Sequence, residues 1–277
     1  KNGYIVEIIS EGEQQEMQTV ESFAEFKRLA ESTTVYLRLN NAQVHYVDGR
    51  NMYIGDGTAS IDFYNTGLSY TAGQRLTGVV KATWAPYNNL PEATNVEVIG
   101  EMAVEDGEPV STVISAVSEL TDDYLCTLVE LSGTCKIDYN SETGKVSSVA
   151  ILDASGQSVI LYDTFKNKLL EALEDGDNIV VKGIYYVYKA DYQIAPISID
   201  VVQATQPVEI SDALFRTFWS ESALSFTSTG VMAYLATYEN GYVKLTQVDK
   251  VPAWTPVVLE AAEAGTYNIN VIEDFDL

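Results

Sequence analysis

Histidine and cysteine are nearly missing from this chain, which has a single histidine, His45, and two cysteines, Cys126 and Cys135. That scarcity excludes most zinc sites, histidine-rich chemistry and a disulfide scaffold. Basic residues are scarce as well: 16 Lys+Arg stand against 40 Asp+Glu, a formal net charge of −24. The deficit is not confined to one acidic tail. Segments 1–32, 33–110, 111–202 and 203–277 carry −4, −5, −8 and −7. A protein that neutralises nucleic-acid phosphates needs Lys and Arg, so the charge argues against nucleic acid as a partner. No run reaches the ~20 apolar residues of a membrane-spanning helix; the apolar stretch from Ile179 to Val187 is broken by Lys182 and Gly183. The sequence opens at Lys1 rather than Met and reads as a mature or trimmed chain.

What is present points to β-structure with a core to bury. Hydrophobic residues make up 46% of the chain, too many for a disordered acidic polymer. Eighteen tyrosines, abundant Val, Ile and Thr, and closely spaced turn residues predict an all-β fold. Helical periodicity is minor. Its clearest case runs from Ser22 to Ala30, where Ser22 and Glu25 form a capping box and Phe23, Phe26 and Leu29 share a face. Cys126 and Cys135 are nine positions apart, an odd spacing that puts them on opposite faces of one strand, so two buried thiols are expected.

Self-similarity organises the first two hundred residues. A short helix precedes a long strand at 34–47, and the segments 113–120 and 124–129 repeat that order. A strand, an Asp-led turn and another strand follow in each copy, Met52 to Tyr64 around Asp56-Gly57 and Val149 to Tyr162 around Asp153. Each copy continues with a glycine-led turn, a strand holding a second glycine (Gly78, Gly183), an aromatic turn and a closing strand. This order suits tandem OB-like five-stranded Greek-key barrels, each preceded by a short helix. Alternation predicts Ile61 and Phe63 inward, with Asp62 and Tyr64 outward. The expected division is an N-terminal strand or linker (1–18), a first barrel (19–108), a second barrel (109–206) and a small β-sandwich-like domain (207–277), with Trp219 and Trp254 in the core of the last.

The run from Tyr53 through Asp56-Gly57 to Tyr64, then Gly73, Gly78 and Leu90-Pro-Glu92, resembles the tandem OB-fold domains of uncharacterised surface or secreted lipoproteins of gut Bacteroidetes. The tail, with Val251-Pro-Ala-Trp-Thr-Pro-Val-Val-Leu259 and Gly265-Thr-Tyr267, is similar to a small β-domain at the C-termini of such proteins. The resemblance implies an extracytoplasmic protein, peripheral to an outer membrane through a lipid anchor upstream of this sequence.

Candidate chemistry is sparse. His45 reads as a strand-face residue rather than a general base, and neither a nucleophile elbow nor a phosphate-binding glycine loop occurs. Paired carboxylates are inevitable among so many acids, but two small barrels offer no evident cleft for a hydrolase. Asp138, Asn140 and Glu142 alternate as oxygen donors for Ca²⁺, but Val149 stands where an EF-hand would place its glutamate, so the segment reads first as a polar turn. No cofactor is expected. Exposed aromatics remain: Tyr53 and Tyr64 outward on strands two and three, with Trp84 and Tyr87 in the following aromatic turn. They are expected to bind a glycan or a surface protein, and Tyr186, Tyr188 and Tyr192 are their counterparts in the second barrel. The expected role is therefore non-catalytic binding, with a plain structural spacer and a carboxylate hydrolase as alternatives.

Overall fold

The computed structural model describes residues 17–272 together with residue 275, so the segment expected over 1–18 lies outside the described residues except for its last two. The first strands follow the sequence pattern closely. Strand β1 (Thr19–Val20) leads into helix α1 (Phe23–Phe26). Ser22 caps the helix by accepting the Glu25 amide at 3.2 Å, while the Glu25 carboxylate takes the Glu21 amide at 2.9 Å. The helix stops after one turn, and Phe23 and Phe26 are fully buried beneath it.

Strands β2 (Thr34–Asp48), β3 (Asn51–Gly55), β4 (Ser60–Phe63), β5 (Arg75–Trp84) and β6 (Glu92–Glu105) then form a closed five-stranded barrel in the order β2-β3-β4-β6-β5, with β5 returning to β2. All pairs are antiparallel except β4 with β6, where Asp62 faces Glu92 in register. A register shift between Leu39 and Ala42 interrupts the pairing of β2 with β5, the irregularity a long strand needs to curl around a barrel. Ile61 and Phe63 point inward and are fully buried with Leu37, Leu39, Val44, Leu76 and Val80.

Strand β7 (Thr112–Ile114) runs parallel to β8 (Leu128–Tyr139), with two short 3₁₀ turns between them. With β9 (Val146–Leu152), β10 (Ser158–Leu161), β11 (Asn178–Tyr188) and β12 (Asp191–Val201), β8 makes a second sheet ordered β11-β12-β10-β9-β8, and β11 pairs back to β8. Its parallel pair is β10 with β12, where Ile160 faces Gln193.

Both Asp-led turns do more than reverse the chain. Asp56 Oδ1 accepts the Thr58 amide (2.8 Å), the Thr58 hydroxyl (2.7 Å) and the Ala59 amide (3.1 Å), while Oδ2 accepts the Phe23 amide at 2.7 Å. Asp153 does the same: Oδ1 accepts the Ser155 amide and hydroxyl and the Gln157 amide, and Oδ2 accepts the Val117 amide at 2.8 Å. Each carboxylate thus ties a hairpin turn to the short helical segment ahead of the first barrel strand. Hydrogen bonds to a charged acceptor contribute about 1.5–3 kcal/mol each, and losing one leaves its donors unsatisfied. Asp56→Ala should therefore cost about 2–3 kcal/mol, read as a lowered urea midpoint. Asp56→Asn, which keeps the acceptor Oδ1, should recover part of the loss.

The remaining strands are β13 (Thr205–Ile210), β14 (Phe215–Phe218), β15 (Ala223–Ser225), β16 (Val231–Glu239), β17 (Tyr242–Val248), β18 (Lys250–Val251), β19 (Val257–Ala261) and β20 (Gly265–Ile272). They form two four-stranded sheets, β13-β20-β15-β18 and β14-β19-β16-β17, over one core that includes Val208, Ile210, Phe226, Val231, Leu259 and Ile269. The chain divides into two compact units between residues 200 and 201, so both five-stranded sheets, but for Val201 at the end of β12, lie in one unit. Trp219 and Trp254 are not in the tail's core as expected. Both rings are more than half exposed, because each sits in a connection outside the two sheets, and they stack on one another instead.

Candidate functional site

The four aromatics expected to form a ligand face do not form one. Tyr53 is only 2% exposed and Trp84 only 7%, whereas Tyr64 and Tyr87 are open at 46% and 58%. Trp84 is buried because it ends β5 beneath α1, where it meets the Phe26 ring edge-on at 5.5 Å. Tyr53 and Asp62 do leave the first barrel's interior, as alternation requires, but the second sheet covers the surface they reach. Tyr53 joins the core of that sheet, packing edge-on against Phe165 at 5.8 Å. Cys126 and Thr127 complete the contact: Cys126 Sγ lies 3.6 Å from the Pro91 carbonyl, and the Thr127 hydroxyl donates to Ser60 Oγ at 2.9 Å. Asp62, expected outward, is buried by the same packing. Both cysteines are free and buried.

The open aromatic surface belongs to the second sheet. Along β10, Val159 and Leu161 turn inward, leaving Ile160 and then Tyr162 outward. Along β11, Tyr185 and Val187 are buried, so Tyr186 and Tyr188 face out. Tyr192 opens the neighbouring β12. These side chains line a groove of about 700 Å³ with Thr164, Ala190, Asp191 and Gln193. Tyr192 is held rigidly: its ring stacks on Tyr185 at 5.9 Å, and its hydroxyl donates to Asp122 Oδ1 at 2.6 Å. The hydrogen bond to Asp122, together with burial, raises the Tyr192 pKa above its ordinary value. Burial pushes Tyr185 and Tyr186 up to about 12, so these phenols are neutral donors across the physiological range.

The turn between β11 and β12 is anchored by the first barrel. The Lys189 amide donates to the Asn88 carbonyl at 3.0 Å, and the Asn89 side-chain amide donates back to the Lys189 carbonyl. That docking brings Tyr87 close enough to Tyr186 to add to its raised pKa. Of the four residues expected to form the site, Tyr53 and Tyr87 both lie near Tyr186, Tyr53 buried and Tyr87 exposed, while Tyr64 is exposed and does not line the groove. Tyr162 was legible from the alternation of Ser158-Val-Ile-Leu-Tyr162. The sequence already names Tyr186, Tyr188 and Tyr192 as second-barrel counterparts of the expected ligand face; what it does not show is that β12 pairs directly with β10, which brings Tyr162 into the same groove.

A second, polar cavity of about 380 Å³ is lined by His45, Ser60, Arg75, Thr127 and neighbouring residues. His45 Nε2 lies 3.2 Å from Ser60 Oγ, yet among the described residues no acid orients the ring, since Nδ1 has no partner there. Burial and the nearby Arg75 lower the His45 pKa to about 4, so the imidazole is neutral and a weak base. The arrangement lacks the third member that a catalytic triad uses to hold its histidine. Asp62 and Glu92 are a carboxylate pair in register across β4 and β6, but they are buried within the first unit and do not line the groove.

The Asp138–Glu142 segment is a capped turn. Asn140 Oδ1 already accepts the Glu142 amide, the Thr143 amide and the Thr143 hydroxyl, and Asp138 accepts the Ser148 hydroxyl. Among the described residues, no group of three or more His, Cys, Asp or Glu side chains is placed to hold a metal ion. Nor is any described helix long and apolar enough to cross a membrane. No protein-family model matches this chain, and no curated protein does either.

Proposed function

We propose that this is a non-catalytic binding protein of tandem OB-like barrels, each led by a short helix, with a β-sandwich-like domain after them, and that it takes a neutral glycan in the tyrosine groove of the second barrel. The observation that carries this reading is the convergence of Tyr162, Tyr186, Tyr188 and Tyr192 on one open groove. Tyrosine gives a flat, rigid stacking surface and a hydroxyl at little entropic cost. Asp191, Gln193 and Thr164 add acceptors and donors suited to sugar hydroxyls. Among the described residues, only Ile160 and Ala190 are aliphatic there, whereas a protein partner's hot spot favours desolvated apolar pockets.

Shared strand order and the paired carboxylate clamps of Asp56 and Asp153 support the tandem reading. A net charge of −24 spread over every segment disfavours nucleic acid and acidic polysaccharides alike, which leaves neutral sugars. The same acidity suits a solvated exterior at a bacterial cell surface, the location that the family resemblance implies.

The test is a titration of neutral oligosaccharides by calorimetry, after a glycan array has chosen the ligand. Tyr188→Ala with Tyr192→Ala should weaken binding at least tenfold, about 1.4 kcal/mol, while Tyr64→Ala leaves it unchanged. Absence of any bound glycan, or equal affinity in the double variant, would overturn the reading.

A further inference from the structure

The tail unit carries a feature that its fold does not require. Trp219 and Trp254 stack with ring centroids 5.3 Å apart and planes inclined by 22°, while 55% and 62% of their surfaces remain open to solvent. Large aromatic rings left in water cost free energy unless something covers them. The backbone is also bent to present them. Trp254 has φ +61°, a left-handed conformation unfavourable for a bulky side chain. It is held there by its amide, which donates to the Ser220 carbonyl at 2.7 Å. Local strain of this kind persists where surrounding contacts enforce it, and it gathers at binding sites.

Beside the stack, Gln206, Trp219, Ser220, Glu221 and Ser222 line a cavity of about 440 Å³. Its polar groups are fixed in advance: the Ser220 hydroxyl donates to Gln206 Oε1 at 2.6 Å and accepts the Ser222 amide at 3.0 Å. With Oε1 so engaged, the Gln206 amide NH₂ is directed as a donor. Glu221 supplies a carboxylate acceptor.

We propose that this corner is a second carbohydrate site, in which the apolar face of a neutral pyranose stacks on Trp219, backed by Trp254, while its hydroxyls engage Gln206 and Glu221. An indole face with flanking amide and carboxylate groups matches a ring that has one C–H face and an equatorial rim of hydroxyls. A lipid tail or an apolar peptide would gain nothing from Glu221 and would have to desolvate it. The site stands on different residues from the tyrosine groove and does not depend on that groove binding anything.

Tryptophan fluorescence of the full chain reads the site directly, because the third tryptophan, Trp84, is buried and contributes a constant background. Titration with cellohexaose, mannohexaose, xylohexaose and laminarihexaose should give a saturable blue shift with at least one of them, together with protection from acrylamide quenching. Trp219→Ala should weaken that response at least tenfold, Trp219→Phe should retain part of it, and Tyr188→Ala with Tyr192→Ala should leave it intact. Circular dichroism of each variant shows that the sheets persist. A response absent for all four sugars, or undiminished in Trp219→Ala, would overturn the proposal. So would a response lost only in the tyrosine double variant, which would assign the sugar to the groove alone.

Discussion

Gly183→Ala is expected to destabilise the first compact unit by roughly 3 kcal/mol or more, at the upper end for overpacking a core position. Gly183 lies on β11, opposite Val129 of β8, on the inward side of the second sheet. A methyl group there would fall inside contact distance of the Ala195 carbonyl oxygen and 2.6 Å from Ile194 Cγ2, both on β12. Backbone cannot yield as a flexible side chain does, so β11 and β12 would have to separate. These two strands carry Tyr186, Tyr188 and Tyr192, and the groove should open with them. For a unit of this size such a loss lowers the melting temperature by about 6–12 °C, measurable as a shift of one calorimetric transition. Gly67→Ala is the control, since nothing lies within 4 Å of a Cβ added there and its backbone is not left-handed. It should be neutral or slightly stabilising. Equal midpoints for the two variants would show that β12 relaxes at no cost.

That glycine illustrates what the sequence makes legible. Gly78 and Gly183 stood at matching places in the two halves of the pattern, and each lies where a Cβ would press on the barrel's last strand. The short helix with its capping box, the Asp-led turns and the inward Ile61 and Phe63 were likewise readable, because each is announced by a local pattern, a cap, a turn residue or an alternation, even where the contacts it serves are distant in sequence. The face expected on the first barrel was not readable in this way. Period-2 alternation tells which side of a strand a residue leaves, and it did so correctly for Tyr53 and Asp62. It does not tell what waits on that side. Here the second sheet covers it, and a surface that one barrel alone would expose becomes interior. The same limit explains Trp219 and Trp254. An aromatic residue in a short apolar run reads as core, yet their exposure is decided by connections outside the strands.

The burial of Asp62 leads to the second large effect, a stability that falls as pH rises. Among the described residues Asp62 Oδ1 has no hydrogen-bond partner, and burial, the neighbouring Glu92 and Asp48 raise its pKa from 3.8 to about 8, against the lowering influence of the Met52 amide. Burial likewise raises Glu92 to about 7. Tyr53, Cys126 and Tyr186 surround the pair and carry no positive charge to offset ionisation. Between the unfolded and folded pKa values, the native protein holds protons that the unfolded chain has released. Stability from this source is complete below about pH 4 and lost as pH rises through 7 and 8. His45 acts in the opposite sense, since its folded pKa of about 4 lies below 6.5 and costs stability as pH falls through that window. Two carboxyls outweigh one imidazole, so the net slope above pH 5 is downward. Each proton contributes about 1.4 kcal/mol per pH unit, so Asp62 alone accounts for about 4 kcal/mol between pH 5 and 8. Asp62→Asn keeps the shape and removes the titration. Urea unfolding of this variant should show a gain over the parent at pH 8, no gain at pH 5 and a visibly flatter profile between them. Parallel profiles for the two proteins would mean that Asp62 ionises in the native state without penalty, with water reaching the surface between the two sheets.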